Sequence, residues 1–177
     1  VLIKLMKLVL LVLLSLLFST VAAVRFVGPI AAHPGEIIVP DHYPKIQWAI
    51  GNATDGDTIF VKAGTYYEHV VVYKPLKLIG EDSSTTIIDG SGEEKIVVRS
   101  NASDVEIGGF TIQNGGHFLY GIQIASCVRN TIRDNVIRNN NGFGIELFKS
   151  NNSVIADNKI MENSWGAGIY VIDRKNN

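Results

Sequence analysis

Gln123, Glu146 and Tyr170 recur at a nearly constant interval, each the third residue of a Gly-Ile-x-aliphatic run: Gly121-Ile122-Gln123-Ile124, Gly144-Ile145-Glu146-Leu147 and Gly168-Ile169-Tyr170-Val171. An amide, a carboxylate and a phenol in one file can hydrogen-bond hydroxyl groups. Aromatic residues precede them in the same order, Tyr120, Phe143 and Trp165. A groove lined with planar rings and hydrogen-bonding groups is what a sugar polymer binds, because ring faces stack on its C–H faces while amides and carboxylates reach its hydroxyls. These six residues form the candidate carbohydrate-binding surface. A second reading has Tyr120 and Phe143 closing a turn over the core.

Asp134 and Asp157 make another pair at the same interval, each directly before an asparagine. Stacked carboxylates could bind calcium or act as acid and base on a glycosidic bond. Calcium wants six or more oxygens, and glycosidase carboxylates need an open cleft between them. A short polar side chain capping a turn accounts for this pair with fewer demands. His33, His42, His69 and His117 are scattered, and Cys127 and Met161 stand far from them and from each other in the sequence, so no metal site or cofactor is expected.

The spacing of these residues dictates the elements that must hold them. Ile132-Arg133-Asp134-Asn135-Val136-Ile137 returns as Ile155-Ala156-Asp157-Asn158-Lys159-Ile160, in step with the Gly-Ile runs. A fixed period in this range signals a solenoid. Each period holds three apolar bursts, too short for helices and bounded by Asn, Gly, Ser or Asp, which read as three strands joined by turns. Stacking like strand on like strand gives an all-β fold, a single-stranded parallel β-helix with three strands per coil. Asn135 and Asn158, and Asn140 and Asn163, then stack at corners and bond along the column. Val70–Val72 with Leu78 and Ile87–Ile88, Ile96–Val98 with Ile107 and Phe110–Ile112, and the two repeats give about four coils in near-regular succession. Such a column is about 20 Å tall at about 4.8 Å per coil. Pro44 opens a short helix whose Ile46, Ala49 and Ile50 share a face and which Gly51 ends; it caps the first coil. Ala63-Gly64-Thr65-Tyr66 reads as a turn after the strand Thr58–Val61.

Residues 1–23 read as a secretory signal: Lys4 and Lys7 precede an apolar run from Leu8 to Phe18, and Val21-Ala22-Ala23 supplies small residues for cleavage. An uncleaved anchor is the alternative, since residues 8–24 reach the lower length limit for spanning a bilayer. Residues 24–36 form a linker rich in Gly and Pro, and the β-helix runs from 37 to 177. Once the signal and its two lysines are removed, acidic side chains outnumber basic ones, and no basic stripe for nucleic acid appears. A secreted, periplasmic or cell-surface location follows, with stacking and no disulfide as the source of stability. The unfinished coil at Asp173 leads us to expect more coils beyond Asn177. Three N-glycosylation sequons, Asn52-Ala53-Thr54, Asn101-Ala102-Ser103 and Asn151-Asn152-Ser153, all fall in predicted turns.

The runs Gly56-Asp57-Thr58-Ile59-Phe60-Val61, Gly64-Thr65-Tyr66-Tyr67-Glu68, Leu76-Lys77-Leu78-Ile79-Gly80-Glu81 and Ile87-Ile88-Asp89-Gly90 resemble the amino-terminal part of right-handed β-helix proteins of the pectin-lyase-like fold. Within that group the chain is most similar to the NosD-like family of archaeal and bacterial surface proteins, described as periplasmic copper-binding or as carbohydrate-binding and sugar-hydrolase domains. The resemblance covers residues 37–177 and implies a right-handed helix. Because it rests on strand and turn positions, it specifies fold more than activity. The Asn-Thr-Asp and Gly-His-Gly signatures of polygalacturonase-like enzymes do not occur, since Asn130-Thr131 is followed by Ile132 and Gly116-His117 by Phe118. The paired Asp motifs of pectin methylesterases are missing too. We therefore expect a surface module that binds polysaccharide or belongs to the cell envelope, without a catalytic site in this segment. The alternatives are the first part of a polysaccharide lyase or glycoside hydrolase, and an accessory protein for copper-cofactor assembly.

Overall fold

The computed structural model describes residues 35–164 and 168–173. The segments read as signal and as most of the linker, and Trp165, lie outside them. Short strands of three or four residues alternate inward aliphatic and outward polar side chains, as period-two patterning requires. They stack into three parallel sheets. Sheet A holds β1 (Glu36–Val39), β2 (Thr58–Val61), β5 (Lys77–Gly80), β8 (Glu106–Gly108), β11 (Thr131–Arg133) and β14 (Val154–Ala156). Sheet B holds β3 (Gly64–Tyr67), β6 (Thr86–Asp89), β9 (Thr111–Gln113), β12 (Val136–Arg138) and β15 (Lys159–Met161). Sheet C holds β4 (Val70–Val72), β7 (Val98–Ser100), β10 (Ile122–Ala125), β13 (Ile145–Phe148) and β16 (Ile169–Ile172). The chain visits C, A and B in turn, and such parallel crossovers wind right-handed.

The repeat sets the register. Ile122 pairs with Ile145 and Ile145 with Ile169 in sheet C. Leu78, Ile107, Ile132 and Ile155 align in sheet A, and Ile88, Ile112, Ile137 and Ile160 in sheet B. These files fill the column, and Ile59, Leu78, Ile88, Ile107, Ile112, Ile122 and Ile124 are fully buried. Each contributes about 1.5–3 kcal/mol of transfer free energy.

The early coils depart from the expected layout. With six strands in sheet A, the column has about six coils, not four. Its first strand is β1, which pairs with β2 along its whole length. Ala63–Tyr66 is mostly strand and not turn, since β3 pairs with β6 and only Tyr66 leans on the core. Val70 pairs with Val98 and Leu78 with Ile107, so this coil is longer than the repeat that follows, whereas the one before it, from Ile59 to Leu78, is shorter. The turn of residues 90–97 takes up the extra length and moves the strand expected at 96–98 to Val98–Ser100.

Helix α1 (Ile46–Asn52) covers the amino-terminal end with Ile46, Ala49 and Ile50 and continues one residue past Gly51. Glu68, just after β3, accepts hydrogen bonds from the Ile46 and Gln47 amides at 3.0 Å each, which satisfies two of the free donors at the helix start. The Gln47 amide bonds both the N–H and the C=O of Val71, at 2.7 and 3.2 Å, and so pairs the exposed edge of β4.

Corners are held by stacked asparagines. Asn135 Oδ1 accepts from the Phe110 amide at 3.1 Å, and Asn140 Oδ1 from the Gly115 amide at 2.9 Å. Asn158 and Asn163 repeat the pattern one coil later. Cys127 is buried at a corner, where its thiol lies 3.9 Å from the Ser100 carbonyl.

Candidate functional site

The sheet C ladder stacks as the spacing requires: Gln123 pairs with Glu146, Glu146 with Tyr170, and Arg99 precedes them. Tyr120 and Phe143, on the turns leading from sheet B to sheet C, form one stack with Tyr170 of β16. Ring centroids are 5.9 Å apart between Tyr120 and Phe143 and 4.6 Å between Phe143 and Tyr170, with interplanar angles of 4° and 26°. Two expectations need correction. Glu146 points away from the column, yet only 3% of it is exposed, because it lies beneath the rings. The rings turn their faces to one another, so Phe143 presents an edge outward, while Tyr170 keeps 40% exposure.

Beneath the stack, Gln123 Nε2 donates to Glu146 Oε2 at 2.5 Å, and the Tyr120 hydroxyl donates to the same carboxylate. Burial, followed by that bond and the carboxylate's charge, pushes the Tyr120 phenol up to about 12. Gln123 Oε1 is buried without a partner among the described residues. An acceptor in that state is normally satisfied, and its orphaning marks a place where a donor fits.

The same turns carry a feature that sequence reasoning missed. Tyr67, Asp89, Gln113 and Arg138 occupy equivalent outward positions of β3, β6, β9 and β12. Asp89 is 7% exposed and fully engaged: its carboxylate accepts from Gln113 Nε2, Asn114 Nδ2 and the Ser91 amide, all at 2.8 Å. Arg138 Nε donates to Gln113 Oε1 at 3.2 Å. Around Asp89 opens a cleft of about 600 Å³, lined by Tyr67, Ser91, Asn114, Asn139 and Asn141. Tyr67 stands on its rim with 73% exposure. Aligning Ile88, Ile112 and Ile137 in the sequence would have put Asp89, Gln113 and Arg138 in file. The unequal turns that follow hide the asparagines.

Asp134 and Asp157 do occupy the same corner position on successive coils, both left-handed at φ 56° and 53°, directly above Gly109 at 79°. Their side chains do not bond the turn backbone among the described residues. Asp134 instead pairs with Arg133 at 2.5 Å, and Arg133 also holds Glu106 at 2.6 Å. These bonds, with Glu106 the stronger, raise the arginine further. The backbone shape of the corner, which Gly, Asp and Asn tolerate, explains the residue type. Among the described residues no three of His, Cys, Asp and Glu gather as a metal site. His42 accepts the Ile38 amide, His69 lies 3.4 Å from Glu93, and His117 lies against Phe118.

Residues 83–177 match the family described as right handed beta helix region. A cell surface glycoprotein of Methanothermus fervidus is 32% identical over 159 residues, covering 73% of this chain and 26% of its own length. The chain thus spans about a quarter of that curated relative. Among solved structures, two of pectin methylesterase, each in complex with a hexasaccharide, are similar in fold. One has a TM-score of 0.54 at 14% identity over 78% of this chain and 59% of the other; the second has 0.52 at 14% over 71% and 56%. At that identity the likeness extends to the backbone and not to the site.

Proposed function

This chain belongs to the right-handed β-helix family, and we propose that it is a cell-surface module whose sheet B to sheet C corner binds polysaccharide. The observation that carries this is the pair of complementary surfaces carried by the sheet B to sheet C turns and the strands that flank them. One is the ring stack Tyr120, Phe143 and Tyr170; the other is the amide-lined cleft beneath Tyr67. An exposed ring beside carboxamides suits a sugar, whose C–H faces lie on the ring while its hydroxyls exchange bonds with the amides. In this reading Asp89 is a positioning residue. Its three hydrogen bonds aim Gln113 and Asn114, and a carboxylate so engaged is a poor acid or nucleophile. The relative described as a cell surface glycoprotein supports the surface location.

Glycan-array binding by the wild-type chain and by Tyr67→Ala and Tyr170→Ala tests the reading. Tyr67 is 73% exposed and Tyr170 40%, and neither belongs to the aliphatic column, so the fold survives their loss. Each substitution should weaken binding about tenfold, or about 1.4 kcal/mol, and the double variant should bind no better than background. Wild-type affinity in both single variants would sink the proposal. Release of reducing or unsaturated sugar would favour the enzyme alternative.

A further inference from the structure

The three sequons, scattered along the sequence, meet on one edge of the solenoid. Asn101 and Asn151 lie in the turns from sheet C to sheet A. In those turns Asp104, Arg129 and Asn152 take the same left-handed position on successive coils, at φ 60°, 57° and 54°. Counting back from them puts Asn151 beside Val128, its bridge partner, and Val128 above Ser103. Asn52, at the end of α1, joins the same corner. Lys74, in the next coil's turn, donates to the carbonyls of Gly51 and Ala53 on either side of it, at 3.4 and 2.6 Å. Asn101 follows one coil after Lys74, since its amide bonds the Val72 carbonyl at 2.9 Å. Successive sequons are therefore two coils apart, about 10 Å at about 4.8 Å per coil. All three asparagines are exposed. Asn114, Asn135, Asn140, Asn158 and their neighbours sit on the remaining two corners, and none of the asparagines there has Ser or Thr two residues on.

Ser153 adds an independent sign. Its position is that of Asn130 one coil earlier, where the amide oxygen accepts the Val105 amide at 2.9 Å and the amide nitrogen bonds the Cys127 sulfur. The Ser153 hydroxyl does neither; it is buried without a partner among the described residues. A buried orphan hydroxyl costs stability and calls for a reason other than packing. The sequon of Asn151 supplies one.

We propose that Asn52, Asn101 and Asn151 are N-glycosylated, so that glycans line the corner between sheets C and A and leave the binding corner bare. The inference rests on the surface location proposed above, where such transfer takes place. In the transfer the asparagine Nδ2 forms a bond to the anomeric carbon of a lipid-phosphate-linked oligosaccharide. The bond from that carbon to the phosphate oxygen breaks, the lipid phosphate leaves with the electron pair, and the nitrogen gives up one proton. Asn151 makes no side-chain hydrogen bond among the described residues, and Asn101 engages only its oxygen, with Arg99 Nε at 3.0 Å, so both nitrogens are free to react; Asn52 Nδ2 donates to the Trp48 carbonyl at 2.9 Å in an exposed position and must release that bond first.

The test is peptide mapping by mass spectrometry of the full chain purified from its own host. Glycan mass is expected on each of the three sequon peptides and on no asparagine of the other corners. A bare peptide at any of the three, or a glycan on another corner, overturns the assignment. Ser153→Ala should abolish occupancy at Asn151 alone and leave the urea midpoint unchanged or raised, while Ser153→Thr should keep the glycan. A fully occupied protein that binds nothing on the array would defeat the polysaccharide reading and leave this one standing.

Discussion

Replacing Asn135 with alanine should remove about 3–4 kcal/mol of stability, an unusually large effect for a polar residue at a turn. Asn135 is 1% exposed. Its oxygen is the acceptor for the buried Phe110 amide at 3.1 Å. Its nitrogen faces three oxygens, the carbonyls of Ile107 and Arg133 at 3.1 and 2.9 Å and Asn158 Oδ1 at 3.0 Å. Alanine orphans the Phe110 donor, which costs about 1–3 kcal/mol, and forfeits bonds worth about 1 kcal/mol each. About 1 kcal/mol of side-chain entropy returns in compensation. Asn135→Asp keeps the acceptor but sets a fourth oxygen against the three, so at neutral pH it should be at least as damaging. Asn158 makes the same bonds one coil later, to Ile132 and Ala156 at 2.8 and 2.9 Å, in a half-buried site. Asn158→Ala should therefore cost about half as much. Urea unfolding followed by circular dichroism measures all three variants against wild type. A loss below about 1 kcal/mol for Asn135→Ala, or equal losses at the two sites, would refute the claim that buried amide ladders hold the corners.

Besides the array and mass-mapping experiments, two further outcomes are expected. A Cβ on Gly80 would lie 2.2 Å from the Gly109 carbonyl oxygen of the next coil, which is backbone and cannot swing away. Gly80→Ala should cost about 3 kcal/mol or more, whereas Gly92→Ala, with open space around it, should cost far less despite its φ of 69°. Similar urea midpoints for the two would contradict the packing. For Tyr120 the folded state holds the phenolic proton more tightly than the unfolded chain does, with the phenol raised from 10.0 to about 12. Its contribution is thus fully present below pH 10 and is lost as pH climbs from 10 to 12. The difference in urea midpoint between wild type and Tyr120→Phe should shift in that window, and a constant difference from pH 9 to 12 would contradict it.

The later coils were legible in the sequence because each strand stacks on its own copy. Nearly equal spacing of Ile122, Ile145 and Ile169 leaves only one register that turns them all to the same face, so the period alone placed Gln123, Glu146 and Tyr170 in a ladder. The first coils share no repeat. The turn of residues 90–97 absorbs a shift that no local pattern announces, and Gly64–Tyr67 has too few apolar residues to declare itself a strand. The candidate site was half legible: the ladder of Gln123, Glu146 and Tyr170 could be read, while the entry of Tyr170 into the stack with Tyr120 and Phe143, the burial of Glu146 and the cleft at Asp89 could not.

Whatever repeats was already written in the chain: the coil, its aliphatic files, the corner asparagines and the three sequons. What faces what had to wait for packing in three dimensions. Rings with equivalent places could have lain open to a ligand or against each other, and packing chose the second because stacked faces shed water without any partner. The sequons at Asn52, Asn101 and Asn151 share an edge only because each pair of unequal coils between them closes to a whole number of turns. That closure depends on every intervening turn, which is why no local stretch of the chain contains it.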